Sequence, residues 1–506
     1  MLHLFPGLAL ALAGWFMATP AVAEDHFLVI AGGQAAANNQ ISLEKNVLFF
    51  RKVLEDTAPA APLAEYFSSG NAKIRSVQFE SGEATVPDAN IYMARLFGST
   101  DYLELQYRHH QLGKVDGVSS PANVSRWFDE KGKHLKPGDR LVIYVTAHGW
   151  KSSDKREPYN TRILMWSRQS LDVRTLQEHV KKLSDGVTVV LVMAQCYSGG
   201  FAHSIFKEAD PESGDLETPL CGFFATVHSR ESAGCTPDIN EENYDEFTSH
   251  FWAAIRGKTR MEALVETADC DGDGRVSFDE AWAYTILTSH NIDIPMKTSG
   301  AFLRERSHFK GDEGVKKNGI LEKYTPYSTV LELAGPVEKR ILAGLSERLE
   351  LNGESRYSDT EKMAGTIEKK RADLKRQLDG KKRISDGHRH AIRDTLLGRW
   401  PELSNRHTEQ AVALLSDQAD EFIEVVKNHP RRKAWDEVQK EREAIEAERF
   451  QLEKEWAHCI RFLRTHNNVV LAENLRIMGN PGDVSRFETI REAEGSGIWA
   501  SPESTD

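Results

Sequence analysis

Two short segments carry side chains able to do covalent chemistry. His148-Gly149 follows the apolar run from Arg140 to Thr146, and Gln195-Cys196 follows the apolar run from Val187 to Met193. An imidazole beside a cysteine favours the thiolate or delivers a proton to a leaving amine, so the pair suits acyl transfer. Gly149 would let the backbone approach a scissile carbonyl, with its N–H joining that of Cys196 as oxyanion donors. Taken singly, a cysteine at a strand end is most often a small hydrophobe, and a histidine before glycine is ordinarily a loop residue. Their weight comes from occurring together, each at the end of an apolar strand, with Gly199 and Gly200 allowing a tight turn after the thiol.

The elements that must position this pair are legible from the pattern. His26 to Ala31, Arg140 to Thr146, Val187 to Met193 and Cys221 to Val227 are continuous apolar runs, separated by helical patterns at Leu43 to Leu54, Pro121 to Phe128 and Ser170 to Leu183. Such runs between helices predict an α/β sandwich with a mostly parallel sheet covered on both faces. A helical crossover between the second and third strands would make them parallel neighbours, with His148 and Cys196 at the carboxyl edge where open α/β sheets place their sites.

A second constellation is Asp269-Cys-Asp271-Gly-Asp273-Gly274-Arg275-Val-Ser277-Phe-Asp-Glu280. It fits the EF-hand calcium loop throughout, with hard oxygens from Asp269, Asp271 and Asp273, the Arg275 carbonyl, Ser277, and Glu280 as the bidentate closing ligand. Helices are expected on both sides, from Thr259 to Ala268 and from Phe278 to Ser289. The implied cofactor is calcium, bound at one site with a structural role.

The His–Cys pattern, with its 48-residue separation, resembles the caspase-like peptidases. The nearer resemblance is to the legumain (asparaginyl endopeptidase) branch, carried by Val29-Ile-Ala-Gly-Gly33 with Asn38-Asn39, by Ile143-Tyr-Val-Thr-Ala-His-Gly149, and by Ala225-Thr-Val-His-Ser-Arg-Glu-Ser-Ala233. It covers about residues 26–260. It implies a cysteine endopeptidase with His148 as general acid and base, Cys196 as nucleophile, Asn39 or Asn38 orienting His148, and Ser229 lining the first substrate subsite. Ala147 and Ile41 stand where that branch carries an acidic residue and an arginine, so its preference for asparagine is not implied. The carboxylate-rich loops Glu208 to Glu217 and Glu231 to Glu246 read as solvated surface, with favouring a basic side chain in the substrate as the alternative, and Glu231 is the candidate for that role. The reading from a different class is a catalytically inactive, calcium-dependent interaction protein on a peptidase-like scaffold.

Composition bounds the rest. The chain has 506 residues and a formal net charge of −12, which argues against nucleic acid as a partner, while a peptide or protein substrate is what the resemblance implies. Residues 1–23 read as a signal peptide, with an apolar core and Ala21-Val22-Ala23 before Glu24. The mature chain is therefore expected to be secreted or periplasmic, with no membrane span. Five cysteines leave at least one unpaired, and Cys221 with Cys235 is the first expectation for a bridge. The expected organisation is a peptidase domain over 24–258, an EF-hand over 259–290, a connection over 291–334, a helical region over 335–491 and a disordered tail over 492–506. In the helical region Val438, Ile445, Leu452 and Cys459 recur every seven residues, which predicts an amphipathic packing helix. Those C-terminal helices are expected to serve as an intramolecular cover or a partner-binding region.

Overall fold

The computed structural model describes residues 23–82, 85–101, 103–266, 268–312 and 319–498. The expected signal peptide lies outside them, Ala23 excepted. Eight strands form the main sheet: β1 (Asp25–Gly32), β2 (Leu63–Phe67), β3 (Arg140–Trp150), β4 (Arg162–Met165), β5 (Gln169–Asp172), β6 (Thr188–Met193), β7 (Leu220–Phe224) and β8 (Met296–Lys297). The order is β8-β7-β6-β3-β1-β2. Its central pairs are parallel, and β8 joins β7 antiparallel.

The parallel strands are the continuous Val/Ile/Leu runs of the sequence, buried along nearly their whole length. Phe27 and Tyr144 on one face pack with Phe50 of α1 (Ile41–Thr57) and Trp252 of α2 (Phe247–Arg256). Helices flank the sheet, so the α/β sandwich expected from the pattern is the observed class. One expected helix is shorter than its pattern. Gln169–Asp172 is the strand β5, and the helix begins only at Val173, where the Asp172 carboxylate caps the Thr175 N–H. β3 likewise runs beyond Thr146, because its last three residues pair antiparallel with β4.

The carboxy-terminal half is built around two long antiparallel helices, α4 (Arg356–Arg399) and α5 (Arg432–Met478). Their ladder of Lys370–Glu448, Lys381–Glu441 and Ser385–Gln439 contacts runs in opposite directions along the two sequences. Leu452 and Cys459 of the seven-residue series meet Ala364, Ile367 and Leu374 in the seam. The far end of this hairpin packs with Ala89, Met93 and Leu96 from the amino-terminal half. Its near end, from Phe462 to Leu475, belongs to the same core as the sheet.

The expected disordered tail is corrected by the fold. A closing helix, α6 (Pro481–Glu494), runs into its first residues, the Ser496 carbonyl accepts from Phe278 N–H, and Ile498 is buried. Residues 499–506 lie outside the description. No helix among the described residues is long and apolar enough to cross a membrane.

Candidate active site and calcium loop

β3 and β6 are neighbours in parallel register, Val145 opposite Met193, and Ala194 N–H still donates to the Val145 carbonyl at 3.0 Å. Counting three residues on along each chain reaches His148 and Cys196. The backbones touch there, since a methyl group on Gly149 would collide with the Cys196 carbonyl. This close approach requires glycine at 149. Immediately after the thiol, Tyr197 turns left-handed (φ 60°), its N–H donates to the Arg230 carbonyl at 2.8 Å, and its own carbonyl accepts from Thr161 Oγ1 at 3.0 Å. Gly199 packs on the Thr226 carbonyl and Met296, leaving no room for a side chain. The Cys196 N–H has no acceptor among the described residues and remains available as a donor.

His148 Nε2 lies 2.9 Å from Gln40 Oε1. With the amide oxygen facing the ring, Nε2 is the donor of this hydrogen bond. The Asn38 carbonyl also hydrogen-bonds the ring, but burial outweighs it and lowers the His148 pKa below the ordinary 6.5. This corrects the expected role of Asn39. Its Oδ1 accepts from Gly33 N–H at 2.8 Å and its Nδ2 donates to the Ser76 carbonyl at 2.9 Å, so its amide is spent bracing the turn after β1. Gln40, one residue on, is the orienting side chain, and no sequence signal separated it from its asparagine neighbours.

The Cys196 Sγ accepts from Ser232 N–H at 3.3 Å. Burial, opposed by the Ser232 hydrogen bonds and reinforced by Glu231 and Asp293, holds its pKa above the ordinary value. Both partners are therefore neutral at neutral pH, a thiol and an imidazole rather than an ion pair. Asp293 is buried, with Oδ1 accepting from Ala233 N–H at 2.7 Å and Oδ2 without a partner among the described residues. Burial pushes its pKa up to about 7.

The sign of the pH dependence follows. A base whose folded pKa is depressed stays competent as pH falls past its ordinary midpoint. The acid limb of a rate profile should have its midpoint below pH 6.5. Thiol-probe labelling of Cys196 followed against pH checks this, and a midpoint at or above 6.5 contradicts it.

All five cysteines are free. The expected Cys221–Cys235 bridge is absent because Cys221 is wholly buried inside β7, while Cys235 lies in the loop beyond the Ser229–Ala233 segment. The odd cysteine count therefore singles out no particular thiol. Ser229 and Glu231 are both exposed on the segment after β7, lining a cavity beside Tyr197.

In the calcium loop, the carboxylates of Asp269, Asp271 and Asp273 converge, each offering an oxygen within 4.8 Å of the others. Gly272 and Gly274 N–H groups donate to Asp269 at 2.6 and 3.0 Å, and Gly274 takes a positive φ of 81°. These amides hold the Asp269 pKa below the usual carboxylate range. Three carboxylates converging on one loop could hold a metal ion. Glu280 is not among the converging carboxylates. Glu280 accepts from Cys270 N–H at 2.7 Å and from Ser277 N–H at 2.8 Å, and Ser277 Oγ caps the following helix, α3 (Phe278–Thr288). The Arg275 N–H donates to Asp273 at 2.8 Å. The expected entering helix is also absent, because residues 258–264 form a bridged turn between Lys258 and Leu264. The motif is thus a calcium-type loop with an exiting helix only.

No family model and no curated protein matches the chain. Among solved structures it is similar to protein GSU0716 from Geobacter sulfurreducens, at 12% identity and a TM-score of 0.29, covering 54% of this chain and 92% of that one.

Proposed function

We propose that the chain is an exported, calcium-binding cysteine endopeptidase that hydrolyses peptide bonds through His148 and Cys196. The observation that carries this reading is the abutment of Gly149 on the Cys196 carbonyl, which brings a free thiol and an oriented imidazole to adjoining strand tips. In the reaction, the His148 imidazole takes the thiol proton as Sγ bonds to the scissile carbonyl carbon. The oxyanion is met by the Cys196 N–H. Collapse breaks the C–N bond, His148 returns the proton to the departing amine, and a thioester remains. Water, deprotonated by the same imidazole, then releases the acid and restores the thiol.

The neutral resting pair fits general-base activation of the thiol. When bound, calcium would supply charge to the Asp269, Asp271 and Asp273 carboxylates and stiffen the start of α3, which leads through Asp293 to the Ser232–Ala233 segment on the thiol. The test is a peptide-library cleavage profile in the presence of calcium. Wild type should cut a discrete set of sequences and Cys196→Ala none. Failure of wild type to cut any peptide favours the non-catalytic calcium-dependent reading.

A further inference from the structure

Beside the segment that holds the thiol lies a cleft with walls from two distant parts of the chain. A cavity of about 490 Å³ is bounded by Tyr197, Ser229 and Glu231 on the sheet side, and by Arg371, Arg449 and Phe450 of the α4–α5 hairpin on the other. The hairpin is fixed at this point. Glu453 of α5 pairs with both Arg230 and Arg371, and the Trp456 ring is flanked by the two guanidiniums, 4.8 and 5.4 Å from its centroid. Arg230 belongs to the segment whose carbonyl fixes Tyr197 and whose next-but-one residue holds the Cys196 sulfur. With both hairpin ends also packed on the amino-terminal half, this wall is built in rather than laid over the site.

The charges in the cleft divide into spent and free. Arg230 and Arg371 share the single Glu453 carboxylate. Glu446 is shared with Arg442 at 3.6 Å. Glu231, the acid that follows Arg230 and reaches only the Tyr197 hydroxyl at 3.5 Å, has no cationic partner among the described residues. Arg449, across the cavity, has no carboxylate partner among them, and Phe450 beside it is 50% exposed. An unpaired carboxylate close to the thiol and an unpaired guanidinium on the opposite wall form a polar axis across a peptide-sized space.

We propose that this composite cleft binds the substrate peptide, with Glu231 receiving a lysine or arginine side chain next to the scissile bond and Arg449 receiving an acidic side chain farther along. This rests on the peptidase reading and extends it to substrate class. The hairpin thereby acts as a specificity wall.

The experiment uses the full-length Cys196→Ala protein, which keeps peptides intact, and fluorescein-labelled hexapeptides whose basic and acidic positions are varied singly, read by anisotropy. Peptides with Lys or Arg should bind about fivefold tighter than norleucine analogues, the scale of an ion pair near a surface. Adding Glu231→Gln should erase that preference. Adding Arg449→Glu should invert the preference at the acidic position. Both residues are at the cleft surface, and circular dichroism verifies that the variants fold. Unchanged selectivity in either variant, or no binding by any peptide, overturns the proposal. The peptidase reading is judged separately: a wild type that cuts peptides with a profile indifferent to both substitutions sinks the cleft assignment and leaves the His–Cys chemistry standing.

Discussion

His148→Ala should lower kcat/KM on any peptide cut by the wild type by about 10⁴–10⁶-fold, the scale seen when one member of a nucleophile–base unit is removed. The size of the effect comes from the neutral resting state. Burial lowers the His148 pKa and raises that of Cys196, so almost no thiolate exists before substrate binds. Without the imidazole, nothing within the site takes the thiol proton. The loss should fall mainly on kcat, because the cleft walls that hold the peptide do not include His148. Steady-state kinetics on one cleaved peptide checks it, and a loss under tenfold would show that another group acts as base.

Lys297→Met should destabilise the protein by about 3–5 kcal/mol, the range for breaking a buried ion pair. Lys297 is 2% exposed on the edge strand β8. Its ammonium lies 2.5 Å from Asp279 and 3.5 Å from both Glu338 and Glu494, with Arg491 as the second cation. Burial works against the charge, yet these carboxylates hold the Lys297 pKa above its ordinary value. Removing it leaves three buried acids sharing one guanidinium. Thermal melting of Lys297→Met against Lys297→Arg measures the loss, and an unchanged melting temperature would contradict the account. The cluster also ties Asp279, next to Glu280 of the calcium loop, to the sheet edge and to the end of α6. Calcium at one hundred times its dissociation constant should add about 2.7 kcal/mol to the same transition, and melting that a chelator leaves unchanged would argue against calcium binding.

The sheet and its His–Cys edge were legible because buried parallel strands read as unbroken apolar runs, and because glycine at 149 and 199 marks close approach of backbone. The convergence of the Asp269, Asp271 and Asp273 carboxylates was legible from their spacing. What failed was side-chain assignment within polar loops. Asn38, Asn39 and Gln40 offer similar amides, and only the turn after β1 decides that Asn39 faces Gly33 while Gln40 faces the imidazole. The helix expected before the calcium loop failed because the Lys258–Leu264 bridge overrides a helical pattern. The hairpin side of the cleft was invisible because Phe450 and Glu453 lie more than 200 residues beyond Arg230 in the chain. A period of seven shows that a helix has a buried stripe and does not show which loop its other face meets.

The central claim is that the His148 imidazole activates the Cys196 thiol. The most direct measurement is the rate at which iodoacetamide alkylates each cysteine, mapped by mass spectrometry, in wild type and His148→Ala at pH 7. The account predicts that Cys196 labels fastest of the five and that the substitution slows it while leaving the others unchanged. Equal Cys196 rates in the two proteins, or a Cys196 found locked in a disulfide, would contradict it.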